Sequence, residues 1–215
     1  MNESANCKPT NWMVQCAKTR LPANMEITTR TKILSLAERL LRTRGYADFS
    51  YADLVDEAGV RKASIHHHFP TKEQLGVEVV ADYLARFGEE LEAILANHQS
   101  APRRLGAYAE LFSASLFDGT FPLCTALAAE LAALPERMQD QTKTFFQIHL
   151  DWLERVVQQG KKAGELDGAP TARKAATILL NAIEGGAVVA WALGKPESVT
   201  VSFDELVRMW SCKTR

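Results

Sequence analysis

Apolar residues recur at intervals of three and four along most of the chain. Ile33, Leu36, Ala37, Leu40 and Leu41 mark one face of a helix over about 28–44, and Gly45 supplies a left-handed stop. After a loop over Gly45–Phe49, Ser50 is placed to cap a short helix, with Asp53 three residues on as its capping-box partner. Gly59 ends that helix, and a second short one runs from Arg61 to about His68, stopped by Phe69-Pro70. Thr71, with Gln74 three residues later, opens a long fourth helix. Helices are then expected over about 73–96, 103–117, 121–133, 135–160, 171–193 and 203–212. Pro102, Pro135 and Pro170 fall where helix starts belong, and Gly194-Lys195-Pro196 closes the most apolar helix. No segment alternates apolar and polar residues between turn signals, so the expected fold is all-α.

Two short helices joined by a tight glycine-containing turn, behind a longer amphipathic helix, form the pattern of a helix-turn-helix. Leu54, Ala58, Val60, Ile65 and Phe69 are apolar where these helices must meet. With Ile65 and Phe69 turned inward, Ala63 and His67 take the opposite side of the same helix, flanked by Lys62 and His66. Those residues are offered to a DNA groove.

Charge sharpens that picture. The net charge of the whole chain is -1, but residues 1–72 carry 11 Lys and Arg against 7 Asp and Glu, a net of +4. The remaining 143 residues carry a net of -5, so the basic, partner-facing part lies at the front. With 47% hydrophobic residues in 215, the chain can bury a sizeable core. Cys7, Cys16, Cys124 and Cys212 are scattered without the spacing of a zinc or redox pair, which suits reduced thiols in the cytoplasm. Residues 1–27 lack the apolar run of a signal peptide and read as a mobile arm. The stretch 175–193 is long enough to span a bilayer, but Asn181 and Glu184 lie near its middle, where one acidic side chain costs roughly 2.5–3.5 kcal/mol. A buried soluble helix is expected there, and no membrane partner.

The segment from Thr31 to Leu75 closely resembles the N-terminal domain of the TetR family of repressors. The densest match is A-G-V-x-K-x-S-x-x-H-H-F-x-x-K-E-x-L, running from Ala58 to Leu75. The resemblance implies a helix-turn-helix DNA-binding domain over 28–76 and a larger helical body over 77–215 that binds a ligand and dimerises through its last two long helices. It implies that Lys62, Ala63 and His66 face base edges, and that Ser50, Tyr51, Ser64, His67 and Lys72 grip phosphates. The family usually has Gly where Ala63 stands, Tyr where His66 stands and Ala where Val55 stands. The implied function is that of a homodimeric, sequence-specific repressor, released from a double-stranded operator by a small-molecule inducer.

In the body, two apolar stripes share the helix over 135–160: Phe145, His149, Trp152 and Val156 on one, Phe146, Leu150, Leu153 and Val157 on the other. Such a helix belongs near the middle of the body. A ligand pocket is expected among Phe112, Leu116, Phe117, Cys124, Leu127, Phe145, His149 and Trp152, the alternative being solid core. Cys124 is also weighed as an oxidant or electrophile sensor against inert filling. Ala182, Gly186 and Ala190 recur every four residues, leaving a face nearly bare of side chains for close approach of another helix, within the subunit or across a two-fold axis; the resemblance favours the axis.

Other classes fare worse. His66, His67 and His68 point about 100° apart on a helix and cannot converge on one metal ion. None of the H-E-x-x-H, G-x-S-x-G, G-x-G-x-x-G or P-loop patterns occurs, so an all-α enzyme is disfavoured and no cofactor or metal is expected. A helical interaction protein with a decayed head is countered by Lys62, Lys72 and the His pair, since such a head would have no reason to keep cations on its groove side.

Overall fold

The computed structural model describes residues 28–211. The arm expected over 1–27, together with Cys7, Cys16 and Cys212, lies outside the described residues. Among the described residues the chain forms nine α-helices and no strand. They are α1 (Thr29–Asp48), α2 (Tyr51–Ala58), α3 (Lys62–His68), α4 (Lys72–Asn97), α5 (Ala101–Phe117), α6 (Leu123–Ala129), α7 (Glu136–Lys162), α8 (Ala172–Leu193) and α9 (Val201–Trp210).

The helix ends follow local chemistry. The Thr28 hydroxyl accepts from Thr31 N at 3.2 Å and the Thr71 hydroxyl from Gln74 N at 3.1 Å, capping α1 and α4. Gly45 breaks α1 with φ at +83°, and Gly59 closes α2 in the left-handed region at +63°. One expected helix is divided: 121–133 becomes α6 followed by a 3₁₀ turn, Leu131–Ala133. Pro122 sits at the start of α6.

Two apolar clusters organise the molecule. The first joins Ile33, Ala37, Leu40 and Leu41 of α1 to Leu54, Ile65 and Phe69, then to Leu75, Val79 and Val80 of α4. The second fills the body, where α5, α7, α8 and α9 pack Tyr108, Phe112, Phe145, Trp152, Leu179, Ile183 and Phe203 together. The start of α4 lies in the first cluster and its later half in the second. Helix α6 also serves both: Leu123 and Leu127 belong to the first, Cys124 to the second. Leu127, expected in a ligand pocket, instead packs in the head cluster with Leu123, one turn before it on the same row of α6, while Cys124 at the edge of that row packs in the body cluster.

The small-residue face of α8 is likewise corrected. Close approach does occur there, but a Cβ at Gly186 would overlap the backbone carbonyl of Val199 in the same chain. Ala190 is buried and Ala182 half-buried. The chain turns back after Gly194 and lays Val199 over this face, so the neighbour at Gly186 is intramolecular rather than a partner helix. Helix α8 is long and apolar enough to cross a bilayer, yet its row Ala176, Leu179, Ile183, Ala187 and Ala190 is buried within the body.

Candidate nucleic-acid interface and buried polar core

On α3, the apolar side is fixed by Ile65, fully buried, and by Phe69 just beyond. That orientation leaves Lys62, Ala63, His66 and His67 exposed and Ser64 half-buried. Arg61, which the sequence reading did not single out, is exposed beside Lys62 at the helix start. Tyr51 ties α2 to the end of α3: its hydroxyl donates to Phe69 O at 2.8 Å, and its ring lies 4.8 Å from the His66 ring. Burial is the first cause that pushes the Tyr51 phenol up to about 12. Tyr51 is thereby held as a hydroxyl donor to the backbone.

Ser50 is also engaged. Asp53 Oδ2 accepts both the Ser50 N–H and the Ser50 hydroxyl at 2.7 Å, while Arg44 binds Asp53 Oδ1 at 2.8 Å. The Ser50 hydroxyl bond, followed by the Ser50 backbone bond, holds the Asp53 carboxyl below its ordinary value. Lys72 is half-buried, with Nζ 3.4 Å from Ala47 O and 4.5 and 4.7 Å from the ring centres of Tyr46 and Phe49. Burial lowers its pKa, against the pull of Glu130, Asp48 and Asp53. Of these eight residues, Lys62, Ala63, His66 and His67 are exposed, Ser64 is half-buried, and Ser50, Tyr51 and Lys72 make bonds within the head.

The body core is chemically different. His149 is fully buried among rings, 4.0 Å from Phe145, 4.4 Å from Phe87 and 6.0 Å from Phe112, centre to centre. Tyr108, stacked on Trp152 at 5.3 Å, hydrogen-bonds His149 Nδ1. A buried hydroxyl needs an acceptor, so Tyr108 donates and the imidazole proton falls on Nε2, which has no protein partner. Burial pushes His149 down to about 3, keeping it neutral. On α8, Glu184 Oε2 accepts from the Thr125 hydroxyl at 2.6 Å, whereas Oε1 is buried without a partner. Burial lifts the Glu184 carboxyl to about 7, the Thr125 bond opposing it. Burial, then the nearby Glu184, keeps the Cys124 thiol protonated, so Cys124 lacks the exposed, thiolate-favouring setting of a reactive cysteine.

Phe112, Leu116, Cys124, Phe145, His149 and Trp152 are therefore gathered in the body, while Leu127 faces the head and Phe117 is exposed. Tyr108, Phe87 and Glu184 were missed as site residues. A lone acid within an apolar helix was the available signal for Glu184.

Residues 33–79 match the family model for bacterial regulatory proteins of the tetR family, and residues 101–205 match that for the tetracyclin repressor-like C-terminal domain. A solved transcriptional regulator of the TetR family from Agrobacterium tumefaciens superposes with a TM-score of 0.82 at 30% identity, covering 86% of this chain and 98% of that one. The transcriptional repressor NemR of Escherichia coli K12 is 29% identical over 118 residues, 53% of this chain and 59% of NemR. The regulator BetI of Brucella anthropi is 32% identical over 94 residues, 43% of this chain and 48% of BetI. The matched parts span about half the length of these two curated relatives.

Proposed function

The chain belongs to the TetR family of bacterial transcriptional regulators, and from that premise we propose that it is a homodimeric repressor whose hold on its operator is released by a small molecule bound in the body. The observation that carries the reading is the open row on α3. Lys62, Ala63, His66 and His67 are exposed while Ile65 and Phe69 lock the helix from behind. Lys62, Ala63 and His66 read base edges; Ser50, Tyr51, Ser64, His67 and Lys72 lie toward the phosphates. The unpartnered His149 Nε2 and Glu184 Oε1 favour a ligand that is largely apolar and carries hydrogen-bonding atoms, since buried polar groups in a closed core are otherwise paired. The NemR match supports the repressor role.

With the Gly186 face occupied internally, the two-fold contact falls to the outward side of α8, where Ile178, Val188 and Val189 are 40–55% exposed. Two heads held by it would reach half-sites about 34–36 Å apart, or a multiple of that.

The test uses the duplex that the full-length chain selects from a random-sequence pool. Lys62→Ala is expected to cost roughly 1–3 kcal/mol and relax base preference, and Lys72→Ala to weaken all sequences alike and lower the salt slope by about 1. A Lys72→Ala protein with altered base preference beside an unaltered Lys62→Ala protein would reverse the groove assignment.

A further inference from the structure

Helix α6 touches the DNA-binding head at both of its ends. Before it, Phe121 and Arg42 exchange two bonds, Phe121 N to Arg42 O at 3.2 Å and Arg42 Nε to Phe121 O at 2.9 Å. After it, Glu130 Oε2 accepts from Ala47 N at 2.9 Å. Between them, Thr125 reaches the other way and donates to the buried Glu184 of the body.

The Glu130 contact is a close one. Gly45, with φ at +83°, brings the loop against the carboxylate, and a Cβ at that position would overlap Glu130 Oε1. Ala47 is then held from two sides, its N–H by Glu130 and its carbonyl by Lys72. The loop runs on through Phe49, under the Lys72 ammonium, to Ser50 at the head of α2.

We propose that Glu130 is a positioning residue for DNA binding: from the body it fixes Ala47, and through Ala47 it sets where Lys72 stands relative to the phosphate backbone. This rests on the reading of the head as a DNA-binding unit and adds to it the contact through which the body governs the grip. A ligand that shifts α6 moves the Ala47 peptide directly, because the charge-assisted bond joins two elements with discrete packing rather than a flexible tether. Isolated surface ion pairs near the head, such as Arg44 with Glu57, connect head to head and carry no such link.

The experiment measures affinity for the duplex selected by the wild-type full-length chain, over a range of salt, for Glu130→Ala, Glu130→Gln, Lys72→Ala and the double variant Glu130→Ala/Lys72→Ala. Loss of a hydrogen bond to a charged group predicts about tenfold weaker binding by Glu130→Ala, with a salt slope lower by about 1 as Lys72 leaves its place. Glu130→Gln keeps an oxygen acceptor for Ala47 N–H and is expected within about threefold of wild type. In the Lys72→Ala background the Glu130→Ala change is expected to cost no more than about twofold, since both act through one contact. Amide exchange at Ala47 should accelerate in Glu130→Ala without any DNA present.

Wild-type affinity and slope in Glu130→Ala overturn the proposal, as do fully additive costs with Lys72→Ala or a Gln variant as weak as Ala. A general loss of fold would instead accelerate exchange throughout α2 and α3 and leave the salt slope of the remaining folded protein unchanged, which also overturns it. A wild-type chain that enriches no duplex sinks the DNA-binding reading itself, an outcome separate from any behaviour of the Glu130 variants.

Discussion

Around Leu54, Ile65 and Phe69 the buried side chains are apolar, and the polar groups that border them on the DNA side are paired. Tyr51 donates to Phe69 O, Ser50 to Asp53, and Lys72 lies against Ala47 O and two rings. Around Tyr108 and Trp152, by contrast, a neutral imidazole and a carboxyl are buried with one atom each unpartnered. An unpaired buried polar atom costs about 1–3 kcal/mol, and a solid aliphatic core could have avoided it. The head is thus built to keep one shape, whereas the body carries groups that only an additional partner would satisfy. That contrast is what separates a rigid reader from a responsive core, and it can be broken at several points.

The largest effect is expected at Trp152, whose ring stacks on Tyr108 and whose Nε1 donates to Leu91 O at 3.3 Å. Trp152→Ala should lower stability by roughly 3–5 kcal/mol, read as a fall in melting temperature. Measured well below that temperature, operator affinity should stay within about threefold of wild type while response to the ligand is lost. Affinity that fell in step with stability would make the body core plain packing and remove the contrast.

Next come two opposed titrations. His149, held neutral down to about 3, is protonated in the unfolded chain below its ordinary 6.5, so its contribution is full above 6.5 and is lost as pH falls. Glu184 keeps its proton up to about 7 when folded but sheds it above its ordinary 4.5 when unfolded; its contribution is full below 4.5 and is lost as pH rises through 7. Between those ordinary values the slopes are of opposite sign, each about 1.4 kcal/mol per pH unit, and they cancel. Urea unfolding across this window should therefore be nearly flat for wild type with respect to these two groups. Glu184→Gln should gain stability as pH rises there and His149→Leu should lose it, by up to about 3 kcal/mol each across the window. Parallel profiles in the two variants would show that neither group is buried as described.

The head was legible because its signals are local. The Ser50-Asp53 box, the left-handed glycines at 45 and 59, and the Thr71 cap each act within three or four residues, and the structure places them where the spacing required. The body was legible only in its periodicity. The stripe Phe145, His149, Trp152 and Val156 shows which side of α7 is buried, but nothing in it reveals that Tyr108, 41 residues away, would meet His149. Gly186 shows the same boundary: spacing encodes that something approaches closely, and not that the neighbour is Val199 of the same chain. Leu127 and Cys124 lie only about 60° apart on α6 yet pack in different cores, because the helix is wedged between the two, a division set by tertiary packing that spacing does not encode.

The smallest expected effect lies at Ser50, and it tests how closed the head is. Alanine there removes the hydroxyl bond to Asp53, but the Ser50 N–H remains on Oδ2 and Arg44 on Oδ1, so the carboxylate keeps two of its three partners. Stability should fall by about 0.5–1 kcal/mol, the low end for loss of a helix cap. A phosphate oxygen carries no hydrogen and can only accept, while the one hydroxyl hydrogen of Ser50 is already given to Asp53. To grip a phosphate, Ser50 must turn that hydrogen away from Asp53, which limits the net gain. The expected loss of operator affinity in Ser50→Ala is accordingly only about twofold to fivefold, on the scale of a weak net hydrogen bond. A tenfold or greater loss with the melting temperature unchanged would mean that the hydroxyl exchanges Asp53 for DNA at little cost. The head would then be a surface that rearranges on binding, and the line drawn between a rigid reader and a responsive body would have to move into the head itself.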